Sequence, residues 1–94
     1  QDYLLAHTLA VVAVSRGDES ALWIASATLD RYLWAIQQPQ IYGTQFTRPR
    51  EGGAAWTQEP YDRAVVSDAL RRALQVKTQP EQQKQLESME SGPR

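Results

Sequence analysis

Residues 18–37 read Asp18-Glu19-Ser20-Ala21-Leu22-Trp23-Ile24-Ala25-Ser26-Ala27-Thr28-Leu29-Asp30-Arg31-Tyr32-Leu33-Trp34-Ala35-Ile36-Gln37. Leu22, Ala25, Leu29, Tyr32, Leu33 and Ile36 recur at steps of three and four, which draws one apolar stripe along a helix. Trp23, Ile24 and Trp34 widen the stripe. Asp18 offers an N-cap, and Glu19 places an acid in the first turn, where the helix dipole favours it. Pro39 pushes Gln38 out of the α region, so the helix should stop near Gln37.

Residues 2–16 precede this helix with almost no connection. Asp2 suits a cap, and Gly17 sits where a left-handed residue closes a helix. Tyr3, Leu4, Leu5, Leu9, Ala10, Val11, Val12 and Val14 cover most of the helix surface, as in a helix covered on several sides. The β-prone run from Val11 to Val14 allows a strand, but the length and the two caps favour helix. With Gly17 and Asp18 as the turn, the two helices form an antiparallel hairpin.

Residues 38–60 break the pattern with Pro39, Gly43, Pro49, Gly52, Gly53 and Pro60. The β-prone residues in 41–47 and 54–58 allow a short hairpin across 48–53; an irregular loop is the alternative. A helix is then predicted over 61–74, with Pro60 in its first turn. Ala64, Val65, Ala69, Leu70, Ala73 and Leu74 form its apolar face, and Arg63, Arg71 and Arg72 lie on the other side. Thr78-Gln79-Pro80-Glu81 reads as a capping box. It opens a polar helix over 82–90, with only Leu86 and Met89 to bury and an expectation of fraying.

The predicted class is therefore mainly α: a helical hairpin, an irregular loop or short β-hairpin, and two further helices. Residues 1–76 form the helical domain, and 77–94 the polar helix and tail. Gln1 stands directly before the first helix, as if residues 1–76 were the C-terminal part of a longer domain.

Composition narrows the function classes. Ten Lys and Arg against eleven Asp and Glu give a net charge of −1, which offers no electrostatic footprint for nucleic acid or an anionic membrane. The absence of cysteine removes disulfides, thiolate metal sites and cysteine nucleophiles. His7 is the single histidine, so a multi-histidine metal site is excluded within one chain. The longest apolar run, 4–14, is too short to span a bilayer. No cofactor motif is present, and none is expected; no compartment is indicated.

Chemistry-bearing residues concentrate in Asp30-Arg31 and in Pro39-Gln40-Ile41-Tyr42-Gly43-Thr44-Gln45-Phe46. Asp-Arg on a helix followed by Pro-Gln-x-Tyr-Gly-Thr-Gln-Phe in the next loop resembles an uncharacterised bacterial domain family. The likeness covers residues 21–74, and the loop motif is long and specific. Family members have more helix upstream, often with a histidine in an apolar setting, and His7 resembles that position. The resemblance brings no activity with it, and the polar tail departs from it.

Two roles suit these residues. Tyr42, Thr44 and Gln45 can satisfy one another and the loop backbone, clamping an irregular segment onto the helices. Alternatively they recognise a polar ligand, with Gly43 permitting close approach. Asp30 and Arg31 point about 100° apart on the helix; either can brace the loop, and Arg31 can take a carboxylate or phosphate bidentately. His7 is a hydrogen-bonded core residue or, with Asp30 or Tyr42 beside it, a general base or acid. Ser15, Ser20, Ser26 and Thr28 show no nucleophile-elbow context.

Trp23 and Trp34 lie about three turns apart, near one face, and read as core or as an interface with another chain. The preferred reading is a helical interaction or assembly module, completed by a second copy or by further helices of the same protein. The alternative is a polar-ligand or enzymatic site where the loop meets Asp30-Arg31, with His7 near it; its catalytic residues are not identifiable from the sequence.

Overall fold

The computed structural model describes residues 2–48 and 55–90. Among these residues four helices follow in order: α1 (Tyr3–Ser15), α2 (Ala21–Ala35), α3 (Asp68–Ala73) and α4 (Gln79–Glu90). The mainly helical class read from periodicity is what the chain adopts. α1 and α2 make the extensive helix–helix contact. His7 joins them with a 2.7 Å bond from Nδ1 to the Ala25 carbonyl.

The helix ends follow local chemistry. Asp2 accepts from the Leu5 N–H at 2.8 Å and so caps α1. Gly17 takes φ +92°, and the Asp18 N–H reaches back to Ala13 O at 3.0 Å, closing the helix in a Schellman turn. Asp18 accepts from the Ser20 N–H and hydroxyl, so it shapes the turn that feeds α2. α2 and α3 close in the same way, but with glutamine in the left-handed position: Gln37 at φ 63° and Gln75 at φ 60°. The Gln38 N–H bonds Leu33 O at 2.7 Å, and the Val76 N–H bonds Arg71 O at 2.8 Å.

Among the described residues between α2 and α3 there is almost no regular structure. Thr47 and Thr57 form one antiparallel bridge, and Gln40 and Tyr61 form one parallel bridge. Among the described residues the expected hairpin is thus a single rung. The turn expected over 48–53 lies outside the described residues except at Arg48. The predicted helix over 61–74 is corrected to α3 alone. Pro60 follows a cis peptide bond rather than opening a helix, and Ser67 is the true cap, accepting from the Leu70 N–H at 3.2 Å.

The apolar face assigned to that helix is also corrected. Val65 is 58% and Leu70 45% exposed, whereas Arg71 is fully buried. Six residues of helix are too short for an apolar stripe to govern its orientation; the buried hydrogen bonds of Arg71 fix it instead.

α4 opens as predicted, with Glu81 reaching back to the Thr78 N–H at 2.8 Å and the Thr78 hydroxyl at 2.9 Å. The Thr78 backbone bond, then its hydroxyl bond, hold the Glu81 carboxyl below its ordinary value. The helix is tied down rather than loosely appended. Gln82 is buried against residues 42, 58 and 61, and the Trp56 N–H donates to the Glu90 carboxylate.

The interior has an unusual composition. Its buried apolar side chains are mostly small: Ala10, Ala21, Ala27, Val66 and Val76, with Tyr61 the exception. The largest fully buried side chains are Arg71, Gln40 and Asp30. Among the described residues, no buried side-chain nitrogen or oxygen lacks a hydrogen-bond partner. A polar core of this kind is stable only when every group is satisfied.

Candidate functional site

Asp30 lies on the inner face of α2, fully buried. Its Oδ1 accepts from the backbone N–H of Ile41 at 2.9 Å and of Tyr42 at 3.1 Å. Its Oδ2 accepts from the Thr44 N–H at 3.0 Å and the Thr44 hydroxyl at 2.7 Å. One carboxylate therefore gathers four donors from three residues of the 41–44 turn, and only Gly43 gives none. Charge-assisted bonds of this kind are roughly twice as strong as neutral ones.

Gly43 is where the loop turns. Its φ is +87°, a conformation that side-chain-bearing residues adopt at a cost. An added Cβ would also collide with the Gln82 Oε1 and the Tyr61 hydroxyl. Gly43→Ala is expected to destabilise the fold by about 3 kcal/mol, combining left-handed strain with overpacking. Gly17→Ala, with φ +92° but nothing within 4 Å, should cost about 1 kcal/mol. Urea unfolding of both variants checks this; equal losses would mean that the space around Gly43 is not limiting.

Gln40 and Gln58 brace the loop from below. Gln40 Nε2 donates to Gln45 O at 2.9 Å and Gln58 O at 2.7 Å, while its Oε1 accepts from the Gln45 N–H at 3.0 Å. Gln58 Nε2 donates to Gly43 O at 2.9 Å and Gln82 Oε1 at 3.0 Å. Gln82 Nε2 in turn reaches Tyr42 O at 2.9 Å and Lys77 O at 2.7 Å. Three carboxamides, each with fixed donor and acceptor ends, knit the loop to α4.

Arg71 completes the cluster from α3. Nε donates to Tyr42 O at 3.0 Å. Nη1 donates to Val66 O at 2.7 Å and Asp68 Oδ1 at 3.2 Å. Nη2 donates to Ile41 O at 3.3 Å and the Tyr61 hydroxyl at 2.8 Å. All five guanidinium donors are used. The Tyr61 hydroxyl lies 2.9 Å from Gln82 Oε1. Burial raises the Tyr61 phenol above its usual value, against the lowering pull of Arg71. Burial, then the Asp30 charge, raises that of Tyr42.

The structure brings most of the predicted site residues together, but as a closed clamp. Asp30 holds the backbone of Tyr42 and both N–H and hydroxyl of Thr44. Gln45 Oε1 accepts from Arg31 Nε at 2.9 Å, and Gln45 Nε2 lies 3.0 Å from the Thr44 hydroxyl. His7 does not join them. Its hydrogen bond goes to Ala25 O, and no described hydroxyl or carboxylate bonds to it. The pairing of His7 with Asp30 or Tyr42 is therefore corrected, because Asp30 turns into the loop and His7 closes the α1–α2 seam. The two tryptophans, both on α2, differ in exposure. Trp34 is half-buried and donates from Nε1 to Pro60 O at 2.9 Å, whereas Trp23 is 48% exposed.

Two openings border the clamp. One, of about 360 Å³, is lined by Tyr3, Arg31, Trp34, Ala35 and Gln45. Arg31 lies 5.9 Å from the Tyr3 ring there. The other, of about 200 Å³, lies between Trp23, Phe46 and the start of α4. Among the described residues, no group of three His, Cys, Asp or Glu side chains could hold a metal ion.

Sequence reasoning missed Gln40, Gln58, Tyr61, Arg71 and Gln82. Gln40 stood inside the quoted motif and carried a signal; the other four had none, since their partners come from distant segments. Comparison with family models, with curated proteins and with solved structures gives no match for this chain.

Proposed function

We propose that this chain is a helical assembly module in which the Tyr-Gly-Thr-Gln loop is a structural clamp. The observation that carries this reading is the surface of α1. Leu4, Leu5, Leu9, Val11 and Val12 are 46%, 53%, 60%, 48% and 41% exposed. Five exposed apolar side chains on one helix are the kind of surface that another protein covers. The loop supports the same reading from the other side. A site built to bind a polar ligand keeps donors and acceptors open toward a cavity, whereas Asp30, Thr44 and Gln45 are engaged within the fold. What remains at the Arg31 cleft is one guanidinium with no second charged group in its lining.

The test is the oligomeric state. Sedimentation velocity from about 1 to 100 µM, the range in which a modest interface is populated, should show a concentration-dependent oligomer. A single monomeric species throughout that range rules the reading out.

A further inference from the structure

The exposed face of α1 has an internal order that points to its occupant. Asp2, Leu5, Leu9, Val12 and Arg16 are spaced three, four, three and four residues apart. This is the a/d spacing of a helix that packs against another helix along one seam. All five are exposed, whereas Ala6, His7, Ala10, Ala13 and Val14, toward α2, are buried or half-buried. The seam carries an acid at its N-terminal end and a base at its C-terminal end. No charged residue lies between them. Neither Asp2 nor Arg16 forms an ion pair among the described residues.

Such a seam is complementary to itself when reversed. We infer that the chain forms a twofold dimer in which α1 packs antiparallel against α1 of a second copy. This rests on the assembly reading above and names its partner. Asp2 of each copy then lies beside Arg16 of the other, Leu5 opposite Val12, and Leu9 opposite Leu9. A twofold interface requires this kind of self-complementarity: each contact from residue i to residue j is repeated from j to i. The antiparallel arrangement also sets the positive end of one helix dipole beside the negative end of the other. A parallel pair would place Asp2 against Asp2 and Arg16 against Arg16. The two α1–α2 hairpins together make a four-helix layer, with α1 at its centre.

The chain contains no cysteine, so introduced cysteines report on the pairing directly. Leu9→Cys should form a disulfide-linked dimer under mild oxidation, whereas Leu70→Cys, similarly exposed on α3, should not. A mixture of Leu5→Cys and Val12→Cys chains should cross-link to each other in preference to themselves. Leu9→Glu should weaken the dimer at least about a hundredfold, because two carboxylates meet at the centre of the seam. Its helical circular dichroism should be unchanged, since Leu9 is 60% exposed.

Arg16→Glu should weaken the dimer about tenfold, and Asp2→Asn in the same chain should restore part of the loss by removing the new repulsion. Asparagine keeps the helix cap, so a merely structural role for Asp2 predicts no restoration. A dimer that survives both Leu9→Glu and Arg16→Glu, or Leu5→Cys chains that cross-link mainly to themselves, overturns the antiparallel α1 pairing while leaving assembly intact. A chain that stays monomeric removes both.

Discussion

Asp30→Ala should lower the unfolding free energy by about 5 kcal/mol, near the upper end for a single substitution. The carboxylate is the acceptor for three backbone N–H groups and one hydroxyl. Removing it leaves those donors without a partner in a buried loop. Each unsatisfied donor costs about 1–3 kcal/mol, less whatever water recovers. A domain of this size has only about 5–10 kcal/mol to lose. The variant should therefore be largely unfolded, or folded only in α1–α2. Asp30→Asn is the informative companion. It keeps the shape and one acceptor oxygen but points an NH₂ group at the donors of Thr44 or of Ile41 and Tyr42. It should lose about 3 kcal/mol and retain α2. Chemical denaturation, followed separately by far-ultraviolet circular dichroism and by tryptophan fluorescence, measures both variants. If Asp30→Ala unfolded within about 1 kcal/mol of the parent, the carboxylate would not be what holds the loop.

Arg71→Lys is expected to cost about 4 kcal/mol, although it conserves charge. The guanidinium directs five donors at Tyr42 O, Val66 O, Asp68, Ile41 O and the Tyr61 hydroxyl. A lysine ammonium has three donors at one point and cannot reach acceptors spread around the edge of a guanidinium plane. It would also be left fully buried, with a desolvation penalty that its remaining bonds do not offset. α3 should loosen first, because its six residues are too short to persist without the tertiary bonds of Arg71. Amide exchange at residues 68–74 should accelerate toward the intrinsic rate, while exchange in α2 follows only the global change. If the Arg71→Lys variant kept parental protection in α3, the fork geometry would be dispensable.

Both predictions concern residues that differ in how legible they are. Asp30 stands on a helix whose period is plain in the sequence. An acid on its inner face, followed after nine residues by a Gly-containing loop, is a visible pairing of acceptor and donors. Arg71 gives no such signal. Its neighbours Val65, Ala69 and Leu70 read as the buried face of a helix, and the arginines as the wet one. The reverse holds for Arg71, Val65 and Leu70, while Arg63 and Arg72 are exposed as read; a guanidinium with five partners can be buried at less cost than a short helix can be turned to bury two apolar side chains.

Local chemistry was sufficient for the helical hairpin. Periodicity over residues 18–37, the cap at Asp2 and the left-handed Gly17 depend on neighbours within a few positions, and such interactions are readable in one dimension. The glutamines at φ > 0 show the limit even there, since Gln37 and Gln75 take a role usually given to glycine.

Among the described residues between α2 and α4, the packing of the loop was decided by contacts across the chain. Gln58 meets Gln82, Tyr61 meets Arg71, and Gly43 lies under both Tyr61 and Gln82. These are donor–acceptor matches between segments up to forty residues apart, and a sequence carries no record of which carbonyl a carboxamide will find. The apolar stripe of residues 18–37 therefore set the helix. The sequence showed that its one inward acid could brace the loop; the tertiary structure decided which donors it takes, because burial makes an unpaired charge too costly to leave unanswered.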